Sequence, residues 1–533
     1  MKTSKQYLKP LSCALLMAGM FTMAPAHAGE RESLEQLRAT TLGLIQALVD
    51  QGILNKDKAD ALIQQAQANT PAEPATSASG DAEQAGDAKD GKAPVRVQYV
   101  PEFVKNQLRD EIKKEVMAKL NYKAGERLGL PEWIDRISWE GDLRLRYEND
   151  KFPDGNETPQ NLNLQGAGIN NTSEDRERYR VRARLGANIK ISDDFSGGIR
   201  LVTGNASDPV SPNQTVGMNN GSGNSKYNFA LDRAFLKYKP NDWLSVTGGR
   251  FANPWMNTDL VWDPDLSFDG VAASLTPKVN DRLRGFFTAG IFPIEEVESS
   301  SNNGTSTVKA KDKWLYGAQA GIEFGAVNET KLKLAAAFYD FSNVTGVQND
   351  LGSTTQNLTA PRFRQRGNTV FNISNPLNTT AGPFALASEF RELNLTGELD
   401  IVSFDPVHVI LTGDYVRNLA FDEKEVLAKS PVSPVGGDTG WMGKIQVGMP
   451  TTLKRDDWNV FAAYKHLETN AVLDAFTDSD FHLGGTNAKG WIAGANYGVD
   501  KNTWLSLRWL SADEIVGSPF SVDVLLLDLN AKF

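Results

Sequence analysis

From Ile137 to the end of the chain, apolar and polar residues alternate with a period of two, and the pattern returns sixteen times. In the first run Ile137, Trp139, Gly141, Leu143, Leu145 and Tyr147 share one face, and Ser138, Glu140, Asp142, Arg144, Arg146 and Glu148 share the other. The spacing predicts strands near 137–148, 177–191, 194–203, 229–239, 243–251, 269–276, 282–291, 314–325, 330–341, 389–403, 406–417, 440–449, 458–467, 489–498, 503–511 and 521–533. Short connections such as Pro240-Asn241-Asp242 alternate with long ones at 149–176, 204–228 and 342–388. A soluble sandwich has no reason to collect its long loops at one end. An all-β transmembrane antiparallel up-and-down barrel does, with short periplasmic turns and long outer loops.

The rest of the chain agrees with export to an outer membrane. Lys2, Lys5 and Lys9 precede an apolar run from Leu11 to Met23, and Ala26-His27-Ala28 stands where a signal peptidase would cut, so residues 1–28 read as a signal peptide. No later segment approaches 18 continuous apolar residues, which excludes a transmembrane helix. Cys13 is the only cysteine, so the mature chain has no disulfide, thiolate metal site or cysteine nucleophile. A net charge of -10 argues against a polyanion binder, and no nucleic-acid partner is expected.

Residues 29–69 read as a helical hairpin or short coiled coil, with Leu34, Leu37, Thr41, Leu44 and Leu48 on one seam. Residues 70–94 are a flexible linker of small and charged residues. Within 95–132, Val104, Leu108, Ile112 and Val116 mark an amphipathic helix, and the barrel occupies 133–533. Tyr147, Tyr238, Trp243, Trp314, Tyr415, Trp441, Trp458, Tyr497 and Trp509 lie near strand ends, as interfacial girdles require. The apolar face would meet outer-membrane lipid and lipopolysaccharide. The terminal Phe533 ends an amphipathic strand, in the manner of a signal read by the barrel assembly machinery.

Several runs resemble the putative-porin family of Gram-negative outer membranes: residues 95–120 (VRVQYVPEFVKNQLRDEIKKEVMAKL), 133–147 (WIDRISWEGDLRLRY), 176–185 (RERYRVRARL), and GRFANP at 249–254 through WDPD at 262–265. The resemblance covers about 95–533 and implies a pore, leaving its solute open.

Arg176, Arg178, Arg180, Arg182 and Arg184 share one parity, opposite the apolar residues of their strand, so alternation places them in the lumen. Arg144, Arg146 and Arg200 on flanking strands would stand beside them. Guanidiniums stay charged and bind carboxylate or phosphate through a planar fork, so such a column attracts anions. Alternatively the arginines only pair with Glu140, Asp142 and Glu148 and keep the wall hydrated. The connection 252–268 carries Asp259, Asp263 and Asp265. Folded inward, these carboxylates would oppose the arginines across a constriction; otherwise the segment is a surface loop.

Three functions are compatible with these features. The first is a water-filled channel for passive diffusion of small hydrophilic solutes, favouring anions, without cofactor or metal, and assembled as a homotrimer. The second is a barrel-anchored tether to a periplasmic partner or peptidoglycan. The third, a barrel enzyme using His466, His482, Asp474, Asp478 and Asp480, lacks ligand spacing or a nucleophile motif, so the chain is not expected to be an enzyme.

Overall fold

The computed structural model describes residues 132–533 except 218–225, 298–307, 309–310, 327–328, 378–381 and 431–434. The signal peptide, paired helices, linker and third helix expected before residue 132 lie outside the described residues. After a short 3-10 turn (Glu132–Arg136), sixteen long strands follow in up-and-down order. They are β1 (Ile137–Lys151), β2 (Arg176–Lys190), β3 (Phe195–Thr203), β4 (Phe229–Asn241), β5 (Leu244–Ala252), β6 (Ser267–Leu275), β7 (Leu283–Glu295) and β8 (Lys313–Phe324). The second half comprises β9 (Lys331–Ser342), β10 (Phe390–Phe404), β11 (Val407–Asn418), β12 (Thr439–Gly448), β13 (Trp458–Leu467), β14 (Ala488–Asp500), β15 (Thr503–Glu514) and β16 (Ser521–Lys532). Every strand expected from the alternation is present, with ends displaced by at most four residues.

Each strand pairs antiparallel with the next, and β16 returns to β1, with Asp142 opposite Lys532 and Tyr147 opposite Leu527. The Gly141 and Phe533 main chains exchange two hydrogen bonds of 2.9 Å, which completes the closing seam. Closure leaves no free strand edge, the condition for crossing a bilayer with sheet. The faces are inverted relative to a soluble domain: Leu143 and Leu145 are 49% and 58% exposed, whereas Arg146 and Glu148 are 2% and 3% exposed. Tyr238, Trp243, Tyr415, Trp441, Trp458, Tyr497 and Trp509 are also exposed on the outer face near strand ends.

The buried apolar core therefore lies inside the barrel, and long connections build it. The connection between β5 and β6, together with 343–389 and 468–487, folds into the lumen. Leu260, Val261 and Trp262 from the first, Val370 from the second and Val472 from the third cluster with Phe268, Phe292, Tyr339 and Phe390 of the wall. The Trp262 ring lies 5.1 Å from Tyr339 and 5.0 Å from Phe268, both edge-to-face. Trp255 fits a notch at Gly317 of β8, where an added Cβ would come within 2.8 Å of the indole. The 343–389 connection also carries a small hairpin, Val370–Asn372 with Phe384–Leu386, which the alternation did not signal.

Candidate pore constriction

The arginine column stands on β1, β2 and β3 at inward positions, facing the loop-filled half of the lumen. Strand register dictates the first level of pairing. Arg146 lies opposite Arg180 and Arg144 opposite Arg182, so like charges adjoin across β1 and β2 and need carboxylates between them. Glu148 accepts from Arg178 and, at 3.1 Å, from Arg180, and Asp150 accepts from Arg178 at 3.0 Å. Asp142 binds Arg182 at 2.9 Å and Arg184 at 2.6 Å. Arg200 pairs with Asp232 of β4. Arg176 lines the upper cavity described below.

Inward-folded loops supply the second level. Of the three loop aspartates, Asp265 reaches the column, 2.8 Å from Arg184, 3.1 Å from Arg182 and 3.9 Å from Arg144. This is direct contact rather than opposition across an open gap. Asp263 turns to the 468–487 loop, accepting from the Ser479 and Asp265 main-chain N–H groups. Burial, reinforced by Asp265 and Asp478, pushes its carboxyl well above the usual range. Asp259 acts through its main-chain oxygen, which receives Lys465 Nζ at 3.0 Å.

Asp480 adds a further set of ion pairs to this cluster. It lies 3.0 Å from Arg146 and 2.6 Å from Arg508 of β15, while Arg146 also binds Asp528 of β16 at 2.7 Å. The Arg146 side chain is fully buried in this cluster. Expected from sequence only among the residues of a barrel enzyme, Asp480 is a counter-ion that holds the 468–487 loop to the wall. His482 donates through Nε2 to the Phe520 main-chain oxygen at 3.1 Å, and His466 stacks on Trp441. Among the described residues no three His, Cys, Asp or Glu side chains converge as metal ligands.

Cavities lie on both sides of these contacts. Toward the long loops is one of about 380 Å³, lined by Arg176, Arg178, Arg180 and Arg366 with Glu148, Asp150, Asp208 and Asp480. Toward the short turns are two, of about 380 and 350 Å³, both lined by Glu140, Arg200 and Arg233. Sequence reasoning missed Asp528, Arg508 and the Asp232-Arg233 pair. The first two have inward parity on their strands, but only closure shows what they meet. In the third, two adjacent charges interrupt an alternating run, which is a readable sign of a bulge.

Among solved structures, the barrel is similar to the outer membrane channel DcaP of Acinetobacter baumannii, with 10% identity, 74% of this chain and 97% of that chain covered, and a TM-score of 0.40. For OprB of Pseudomonas putida the values are 13%, 75%, 96% and 0.42, and for OmpF of Salmonella typhi in complex with daunomycin 12%, 74%, 97% and 0.38. No curated protein matches the chain. The family described as "Putative porin" matches residues 38–533, nearly the whole sequence. With a closed sixteen-strand barrel, lipid-type outer face and charged lumen already established, the chain belongs to the putative porin family, the channels of the outer membrane.

Proposed function

We propose that the barrel is a water-filled channel for passive diffusion of small hydrophilic solutes and that it favours anions. The observation carrying this reading is the arginine column, which runs from the upper cavity past the Asp265 contacts into the lower ones. A hydrated solute moving along it exchanges water for guanidinium donors, and a carboxylate or phosphate gains most from the exchange. In planar bilayers under a KCl gradient, the reversal potential is expected on the anion-selective side. Zero or cation-selective reversal would refute the anion preference, and the absence of conductance would refute the channel.

The column can also be tested by charge removal. Replacing Arg178, Arg180 and Arg182 by Gln retains strand parity but removes three cations and strips Glu148 and Asp150 of their ion pairs with Arg178 and Arg180. Cation permeation is expected to rise, most at about 0.1 M salt where the screening length is about 10 Å, and to converge with wild type near 1 M, where it is about 3 Å. Thermal stability should fall because carboxylates in a confined lumen lose their partners. Unchanged selectivity in dilute salt, with the barrel folded, would exclude the column from permeation.

Orientation follows from loop length, with the long loops on the cell surface and the first strand leaving the periplasm. Leu351, 86% exposed in the 343–389 connection, is the point at which an inserted epitope should be reached by antibody on intact cells. An epitope at Pro240-Asn241-Asp242 should be reached only after the outer membrane is opened. The reverse labelling would invert the topology.

A further inference from the structure

Arg233 belongs to no part of the column read from the sequence, yet a β-bulge brings it there. Between β3 and β4, Arg200 is opposite Arg233 while the next pair is Leu201 opposite Leu231, so Asp232 is the extra residue. Asp232 turns inward, 9% exposed, and binds Arg200. Its other carboxylate oxygen accepts from Ser267 Oγ, and Ser267 Oγ in turn accepts from Arg233 Nε at 3.2 Å. The bulge thus places two guanidiniums and one carboxylate at the same level. Asp232 offsets Arg200, and Arg233 makes no ion pair among the described residues.

Charge distribution singles out this level. The upper cavity is lined by four basic and four acidic side chains, so its arginines are balanced. The two lower cavities are lined by six basic side chains, Arg182, Arg184, Arg200, Arg233, Lys237 and Lys532, against Glu140 and Asp142. Counting Asp232 and Asp265 as well, which neutralise Arg200, Arg182 and Arg184 from the rim, still leaves two positive charges. Arg233 is common to both cavities, with Lys237 lining one and Lys532 the other. Like-charge neighbours in a narrow lumen raise the local potential, which a mobile anion relieves.

Resting on the anion-favouring reading above, we infer that Arg233 and its neighbours form an anion-binding station on the short-turn side of the constriction, taking the carboxylate or phosphate group of a permeating solute. The guanidinium fork receives two oxygens of such a group, and Lys237 or Lys532 adds a point charge. A further determinant of selectivity then lies below the constriction, at a residue outside the five-arginine run, and the pore is electrically asymmetric.

The test uses the full-length protein in planar bilayers, with Arg233→Gln and Arg233→Lys, after heat-modifiable gel mobility shows assembly. At about 0.1 M KCl, Arg233→Gln is expected to lower the anion-to-cation permeability ratio about threefold. Inorganic phosphate and acetate, added separately, should reduce wild-type chloride current at lower concentration from the short-turn side than from the long-loop side. Reduction by phosphate alone identifies a phosphate station, and reduction by both a general oxyanion station. Arg233→Lys keeps the charge, so its permeability ratio should remain near wild type, while either probe should act severalfold more weakly without the planar fork. That variant carries the test if Arg233→Gln does not assemble. An anion-selective wild type in which assembled Arg233→Gln leaves the ratio unchanged, or Arg233→Lys leaves both probes unaltered, overturns the station but not the anion-favouring channel. A wild type without anion preference overturns the reading on which the station rests.

Discussion

Replacing Asp480 by Asn is expected to loosen the 468–487 loop, enlarge the channel conductance and shift selectivity further toward anions. One carboxylate serves two guanidiniums there, Arg146 at 3.0 Å and Arg508 at 2.6 Å. Burial alone would push this carboxyl upward, but Arg146, Arg508 and Arg144 outweigh it and hold it well below the usual range. Arg146 keeps Asp528, whereas Arg508 loses the one ion pair it makes among the described residues. Stranding charge in so confined a site costs about 2–4 kcal/mol, which denaturant midpoints would resolve. The direction of the selectivity change is opposite to that of arginine removal, because a negative charge leaves the lumen. A depressed carboxyl contributes stability above its unfolded value and loses it only as pH falls through the lower folded value. The difference between variant and wild type should therefore persist down to about pH 4. Wild-type conductance, selectivity and midpoint in the variant would show that this carboxylate does not hold the loop.

The closing seam is the second place where a small change should have a large effect. Phe533 is joined to Gly141 by two main-chain hydrogen bonds, and its ring lies on the glycine's outer face. A Cβ at position 141 would sit 2.4 Å from that ring and 2.9 Å from the Arg184 main-chain oxygen, so any side chain there forces strands or ring to move. Deleting Phe533 is expected to cut the yield of heat-modifiable barrel at least about tenfold, since both seam bonds and an outward aromatic are lost together and closure is all-or-none. Gly141→Val should also reduce yield, and combining it with Phe533→Ala should recover part of the loss by removing the ring. Full yield from the deletion would refute a role in assembly. No recovery in the double variant would place the clash at the Arg184 carbonyl instead.

The strands, their faces and the barrel they close were legible in the sequence because alternation is local: each side chain's face follows from its parity, whatever its distant neighbours. The same rule put Arg176 to Arg184 on the inner wall, and loop rhythm separated the two ends. What only the tertiary structure decided are interactions between residues remote in sequence. Arg146 and Asp480 are 334 positions apart, and Lys465 meets Asp259 206 positions away. Nothing local in the 252–268 connection says whether it lies over the wall or inside it; that depends on the notch at Gly317, the aromatic wall around Tyr339 and the arginines that receive Asp265. Part of the balance of the column was hidden for the same reason: Asp142 and Glu148 on the neighbouring strand follow from parity, but carboxylates from two loops and the last strand also neutralise it. Parity tells a charge which side of the wall it occupies. Its partner, and hence whether it acts on a solute or holds a loop, is set by closure and loop packing, where energies depend on distances of a few ångströms between segments that the sequence keeps far apart.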